Sequence, residues 1–434
     1  MRTLIQAFRT KELRNKILFV LGIIIIYRIG SFIPTPGVDY KVVNDCVANT
    51  TNNAENFIGL VNLFSGGAML QLSIFALGVM PYITASIVVQ LLRAVIPRFE
   101  ALHKEGQSGE AKLTQYTRYL TIGLAVLQST SILVTARSGA LFNYQCNNVI
   151  PDASIWNMVV MIMVMTGGTG LIMWMAELIT EKGIGQGMSI LIFLSICSGF
   201  LPQLWQIGWG TNGTDGNWTK FAIVTVVLLV IMIFVNYVEL SQRRIPVQYT
   251  RRMIGRKMYG GQSTFLPVKV AMSGVMPVIF ASAILSIPQF IQFFWNPSEG
   301  FGRALLDAFS SSGWLYVVLY FFLILMFAYF YMSIQYNPLE MANNLRQNNG
   351  TIPGIRPGKP TADFIAKILS KVTLIGALFL AFVALVPIIY TNVTGMYGLS
   401  MGGTSIIIIV GVALETVKQL ESQMMLRHYK GFLD

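Results

Sequence analysis

The chain has 434 residues, 54% of them hydrophobic and only 12% charged, with a net charge of +12. Soluble domains carry about a quarter charged residues, so a soluble enzyme or binding module is excluded and a polytopic helical membrane protein is expected. The excess of basic residues calls for an orientation across the membrane, a partner, or both.

Apolar runs of spanning length fall at 17–35, 72–92, 119–136, 155–176, 187–207, 220–239, 270–294, 314–336, 371–391 and 402–420. These predict ten spans with both chain ends on one side. Lys41, Arg137, Lys220 and Arg303 fall on the other side, Arg28 lies within the first span, and all remaining Lys and Arg lie on the side of the ends. By the positive-inside rule the crowded side is cytoplasmic. A missed helix would scramble this alternation.

In chain order, Ile17–Tyr27 has the length of a signal-peptide core, but no small-x-small cleavage site follows. YRIGSFIPTPG instead carries the segment to the outer surface, so an uncleaved first span is expected, with Arg28 snorkelling from its outer end. Next, Phe57–Leu70 is apolar but too short to span, is broken by Ser65-Gly66-Gly67, and abuts the full-length run Leu72–Leu92. Its unpaired backbone groups would find no water in lipid, so it must line a cavity inside the protein, as a packing element or as a stopper or binding site at mid-depth. Val79 and Ile83, four apart, share a helix face, and Pro81 between them is expected to loosen the helix.

Gln128 and Ser129 lie near the middle of span three, as helix–helix glue or a ligand contact. Span four ends in ELITEKGIGQGMS. Gly183, Gly185 and Gly187 resemble a phosphate loop, but the Walker pattern is absent, so they close one helix and open the next across a tight cytoplasmic turn. Met188 and Ile192 follow, again four apart. Loop 240–269 is the most basic stretch, with the pairs Arg243-Arg244, Arg251-Arg252 and Arg256-Lys257. Orientation alone needs fewer charges, and anionic lipid favours charges hugging the membrane; spaced pairs on a projecting loop suit phosphate or an acidic protein. Span seven contains Pro277 and Pro288 and is not expected to be straight. Loop 337–370 opens on the helix cap Asn337-Pro338 and ends in the turn-rich tip GTIPGIRPGKP, which displays Arg356 and Lys359. Cys46 and Cys146 both fall in outer loops, where a disulfide is chemically possible; Cys197 is mid-span packing.

No HExxH, nucleophile elbow, His or Cys cluster or mid-membrane carboxylate pair is present, so neither an enzyme nor a bound metal or cofactor is expected. An ion-coupled secondary transporter with inverted five-helix repeats is the alternative reading. Glu177, Glu181, Glu239 and Glu415, however, sit toward the cytoplasmic ends. The middle offers Val79, Ile83, Ile192, Ile279 and Ile408, with Met188 near an end. A ring of such residues gates by excluding water, which suits a seal for an occasional large passenger.

The motifs YRIGSFIPTPG, NLFSGGAMLQLSIFALGVMPYI, KLTQYTRY, ELITEKGIGQGMSI, QRRIPVQY, QSTFLPVKV, NPLEMANNLR, PGIRPG and GGTSIIIIVG resemble the SecY family, the channel subunits of the bacterial Sec protein translocon. The resemblance implies an all-α polytopic membrane protein of ten transmembrane helices in two pseudo-symmetric five-helix halves, 1–207 and 208–434, with a short re-entrant plug helix at about 57–71. It implies a plug that includes Leu60, Phe64, Ser65, Gly66, Gly67 and Leu70. It implies a pore ring of Val79, Ile83, Met188, Ile192, Ile279 and Ile408; Val79 and Met188 depart from the family's isoleucines but stay apolar. The lateral gate would lie between spans two and three and spans seven and eight, with Pro81, Gln128 and Pro277 in it. Arg243, Arg244, Arg256, Lys257 and Arg356 would dock the ribosome and the SecA motor, and SecE and SecG are the implied membrane partners. Unfolded client chains and signal sequences would pass, the latter leaving into lipid, in the bacterial plasma (inner) membrane. Family members often read GNG where this chain has Gly185-Gln186-Gly187, and Gln tolerates positive φ less well than Asn.

Overall fold

The computed structural model describes residues 10–50, 65–137, 139, 149–152, 154–209, 218–249, 252–254, 257–259, 263–294, 314–394 and 403–430. The fold is mostly helical. The first half of the chain contributes α1 (Lys11–Gly30), α2 (Tyr40–Thr50), α3 (Met80–Val95), α4 (Pro97–Lys104), α5 (Gln107–Arg137), α6 (Ile155–Lys182) and α7 (Gly187–Trp209). The second contributes α8 (Trp218–Leu240), α9 (Met276–Phe294), α10 (Trp314–Gln335), α11 (Pro338–Gln347), α12 (Lys359–Thr394) and α13 (Gly403–Lys430). Apart from the short α2, α4 and α11, each helix falls on one of the apolar runs. Among the described residues, α5, α6, α8, α10 and α12 are long and apolar enough to cross a membrane. A helix satisfies its own backbone groups, which is why runs without Pro or positive-φ breaks adopt it there.

The run 72–92 departs from that pattern. Residues 65–79 wind through consecutive turns, and α3 begins only at Met80, with Val79 as its N-cap and Pro81 in its first turn. Pro81 therefore opens the helix, where its missing N–H is no loss, rather than loosening its middle. Upstream, Gly66, Gly67 and Gly78 take φ of +68°, +91° and +56°, and Leu72 takes +45°, values that a right-handed helix cannot accommodate. The described part of the expected plug helix, 65–70, is accordingly turn; Leu60 and Phe64 lie outside the described residues.

Neighbouring segments hold these turns. The Leu72 carbonyl accepts from the Thr35 amide at 3.0 Å and from the Thr35 hydroxyl at 2.5 Å. The Ile74 amide donates to the Ile33 carbonyl at 3.0 Å, and Pro34 bridges to Ser73. PTPG, just beyond α1, thus serves as a strand-like partner for 72–74. Phe75 stacks on Tyr27 of α1 with centroids 5.7 Å apart. Left-handed φ at a non-glycine costs about 1–2 kcal/mol; at Leu72 the full burial of the side chain and the two Thr35 bonds offset it.

Helices α1, α3, α5, α6 and α7 pack in succession through α1–α6, α3–α5, α5–α6 and α6–α7 contacts; α9–α10, α10–α12, α12–α13 and α8–α13 contacts join the rest. Across the two sets, α7 meets α8 and α13, and α5 meets α9. Cys46, buried on α2, is disulfide-bonded, and Cys197 is a free, half-buried thiol; Cys146 lies outside the described residues.

The expected all-α class needs a correction in the basic loop, which is β structure. β1 (Gln242–Tyr249) pairs antiparallel with β4 (Ser263–Lys269) and with β5 (Gly350–Thr351), while β2 (Arg252–Ile254) and β3 (Lys257–Tyr259) form a hairpin. Arg244, Pro246 and Gln248 face out while Ile245 and Val247 are buried, the period-two signature of a strand over a core. Ile245 and Val268 pack with Ile352 and with Ile365 and Leu369 of α12, flanked by Met341 and Leu345 of α11. Loops 240–269 and 337–370 are therefore one packed unit.

Gly168 of α6 lies so close to the Ile74 carbonyl that a Cβ would collide with backbone, whereas Gly170 faces open space. Gly168→Val should lower stability by about 1–3 kcal/mol, read as a lower thermal midpoint of the purified protein. Gly170→Ala should leave that midpoint unchanged or raise it, since Ala is the better helix former.

Candidate functional site

Val79 and Ile83 of the α3 start, Ile192 of α7, Ile279 of α9 and Ile408 of α13 are all under a tenth exposed and belong to one hydrophobic cluster. Met188, half-buried one turn before Ile192, packs against it. Backbone geometry fixes the first pair, because the Ile83 amide donates to the Val79 carbonyl at 3.1 Å. The four elements that carry these residues converge on the cluster, which also takes in Tyr27, Phe75, Phe280 and Tyr320; the five positions themselves are aliphatic. Aliphatic side chains offer no hydrogen bond to an ion or to water.

Segment 65–70 is seated by polar contacts. Ser65 and Gly66 are buried, and Gly67 and Leu70 are half-buried. The Ser65 hydroxyl accepts from the Met69 amide at 3.1 Å. Arg28, expected to snorkel outward, instead turns its guanidinium onto this segment: Nη1 donates to the Gly66 carbonyl at 2.9 Å and to Ser198 Oγ at 3.1 Å. It also lies 4.8 Å above the Phe32 ring. An intramembrane charge was the sequence signal for this contact.

Pro81 is buried in the first turn of α3, Gln128 is half-buried on α5, and Pro277 is buried in the first turn of α9. Pro277 thus opens α9 rather than bending it. The α3–α5 and α5–α9 contacts bring the three carrier helices into one row. Sequence reading missed a bidentate ion pair beside them. Arg118 of α5 donates from Nε and Nη2 to the two carboxylate oxygens of Glu177 on α6, at 2.7 and 2.8 Å. At the turn between α6 and α7 the positive φ falls on Gly185, at +88°, and not on Gln186. Glutamine therefore stands there without strain, and the Thr180 hydroxyl accepts from the Gly187 amide at 2.9 Å.

On the basic unit, Arg243 and Arg244 are exposed on β1, and Arg356 is exposed in the turn after β5. Lys257 lies on β3; Arg256 is outside the described residues. Because β5 hydrogen-bonds to β1, Arg243, Arg244 and Arg356 ride on one body. The Thr361 hydroxyl fixes the tip by donating to the Arg356 carbonyl at 2.8 Å, and Asn337 caps α11 by accepting from the Leu339 amide at 3.1 Å. Among the described residues no group of three or more His, Cys, Asp and Glu could hold a metal ion.

Membrane-length helices sharing one apolar cluster, with a buried non-helical segment and a basic unit, define a multi-pass membrane protein. The SecY family model matches residues 73–417. The protein translocase subunit SecY of Streptomyces scabiei is 53% identical over 435 residues, which cover 99% of this chain and 98% of that one. The SecY of Mycobacterium tuberculosis is 49% identical over 440 residues, 99% of each chain. The chain belongs to the SecY family. Its fold is similar to a solved protein-conducting channel at a TM-score of 0.61 and 16% identity, covering 94% of this chain and 91% of that one. It is also similar to Sec61 from the canine ribosome–channel complex of the endoplasmic reticulum, at 0.56 and 14%, with the same coverage. Family membership removes the ion-coupled transporter as a reading.

Ile245→Asp would place an unpaired charge in the core beneath the basic unit, at a cost of about 3–5 kcal/mol. Limited proteolysis should then cut within 240–269 at protease concentrations that leave the wild type intact, while the membrane helices stay protected.

Proposed function

We propose that the chain is the pore of a bacterial Sec translocase, passing unfolded polypeptides across the plasma membrane and releasing apolar segments sideways into lipid. The observation that carries this is the aliphatic cluster made by Val79, Ile83, Ile192, Ile279 and Ile408 from four elements, with Met188 packed on it. No other lining opens for a polypeptide of arbitrary sequence and then reseals without a specific ligand.

In this reading ten helices span the membrane in two halves, 1–207 and 208–434, with both ends cytoplasmic as the basic residues require. Segment 57–71 is the plug: Leu60, Phe64, Ser65, Gly66, Gly67 and Leu70 block the vestibule at rest. The lateral gate lies between α3 and α5 on one side and α9 and α10 on the other, with Pro81, Gln128 and Pro277 along it. Arg243, Arg244, Arg256, Lys257 and Arg356 receive the SecA motor or the ribosome, and SecE and SecG complete the membrane complex. Neighbours of like fold support the docking role, since Sec61 and yeast Ssh1 were both solved on ribosomes. The chain carries no nucleotide motif, so the partner or chain elongation supplies the energy, and this chain's part is to open and to seal.

Planar-bilayer conductance tests the barrier. The intact chain should be tight to ions, and a variant lacking 60–70 should leak. If neither passes current even with a signal peptide added, the conduit reading fails. Separately, Arg356→Glu should lower SecA-driven transport of a secretory precursor by roughly tenfold, the scale of one lost charge-assisted contact, with resting conductance unchanged. Normal transport would remove Arg356 from the docking face.

A further inference from the structure

We infer that Arg28 is a positioning residue that seats the plug in the closed pore by holding the Gly66 carbonyl; this rests on reading 57–71 as the plug. The guanidinium spans two elements at once. Its Nη1 donates to Gly66 of the plug segment at 2.9 Å and to Ser198 Oγ of α7 at 3.1 Å. The Ser198 hydroxyl donates to the Ser195 carbonyl at 2.8 Å, with the Gly66 carbonyl a more distant acceptor at 3.4 Å, and either way its oxygen can accept from Arg28. The plug backbone also lies against α7. A Cβ on Gly66 would stand 2.7 Å from Ser198 Oγ and 3.3 Å from Ser195 Cα, and Gly66 has φ of +68°. Glycine at this position is what lets its carbonyl reach the guanidinium.

The neighbouring residue does something different. The Tyr27 hydroxyl meets Ser195 Oγ at 2.8 Å, and Ser195 donates onward to the Leu191 carbonyl at 2.9 Å. Tyr27 thus fastens α1 to α7 through a hydroxyl that bonds Ser195, whereas Arg28 bonds the Gly66 carbonyl. The α1–α7 joint and the plug tether are therefore separable by mutation. When the plug leaves, Arg28 keeps Ser198 and the Phe32 face, so the charge is never stranded in a low-dielectric site. A contact that breaks on one side only makes a reversible latch.

The test is resting single-channel conductance of the full-length chain in planar bilayers, without signal peptide, comparing Arg28→Gln, Arg28→Lys and Tyr27→Phe. Arg28→Gln should raise the open fraction by roughly tenfold, the equilibrium change from losing one charge-assisted hydrogen bond. Arg28→Lys keeps the charge but lacks the fork, so it should fall between Gln and wild type, and it carries the test if the Gln variant does not fold. Tyr27→Phe should stay as tight as wild type. Unchanged conductance in both Arg28 variants overturns the inference, and so does a Tyr27→Phe leak equal to that of Arg28→Gln, which would mean general loosening of α1. A variant lacking 60–70 is run alongside. If it does not leak, the plug reading itself has failed, an outcome distinct from a leaky deletion beside tight Arg28 variants.

Discussion

A non-helical segment at membrane depth dictates much of the rest, because backbone N–H and C=O groups in hydrocarbon have no water to turn to. Residues 65–79 cannot form one helix, with left-handed φ at Gly66, Gly67, Leu72 and Gly78 and a proline at 81. Some of their polar groups pair within the segment, as the Leu72 amide does with the Met69 carbonyl and the Gly78 amide with the Phe75 carbonyl; the others need a partner from elsewhere in the protein. Thr35 answers Leu72, Ile33 answers Ile74, and Arg28 answers Gly66. Gly168 lets α6 approach the Ile74 carbonyl closely enough to shield it. The turns are thereby wrapped by α1, α6 and α7, and their last residue, Val79, is delivered into the aliphatic cluster as the N-cap of α3.

The basic unit obeys a different constraint. A solvated loop of thirty residues would scatter its charges and lose entropy whenever a partner bound. Strand pairing of β1 with β4 and β5, over Ile245, Val268, Ile352, Ile365 and Leu369, removes that freedom beforehand. The core residues Ile365 and Leu369 belong to α12, which runs on into the membrane-length bundle. A force applied to Arg243, Arg244 or Arg356 is thus delivered to a spanning helix rather than absorbed in a loop.

The helices were legible because lipid imposes length and apolarity on a spanning segment, and among the described residues five of them are long and apolar enough to cross a membrane. That Val79, Ile83, Ile192, Ile279 and Ile408 would meet in one cluster was suggested by residue type together with the family resemblance. Less visible was the late start of α3: Leu72–Met80 is apolar enough for a span, and left-handed φ at Leu72 leaves no mark in the sequence. The strands escaped notice because Arg, Pro and Gln occupy the outward positions of β1, so the stretch read as charge rather than as alternation. Pairing of β1 with β5 joins residues a hundred positions apart and has no local signature. Gln186 looked like a liability at a turn, yet Gly185 takes the left-handed position and no strain arises. Arg28 could be seen as a costly charge, but its partner lies in a segment whose path the sequence does not set.

In the proposed reading, a seal for polypeptides needs two kinds of interaction, carried by different residues. Aliphatic packing is non-directional, so the cluster of Val79, Ile83, Ile192, Ile279 and Ile408 can close around nothing or around a chain of any sequence. That same indifference gives it no preferred resting register. Directional bonds supply one: the Arg28–Gly66 and Arg28–Ser198 pair selects a single seat for the segment beside the cluster. The packing then sets where water stops, and the polar tether sets where the blocking segment returns. The contacts between the two sets of helices place the same division on a larger scale. On one side α7 meets both α8 and α13; on the other, α5 meets α9. In the proposed reading, opening falls at α5–α9. Arg118–Glu177 locks α5 to α6 at that edge, so the first set of helices yields there as a body and not as a single unzipped helix.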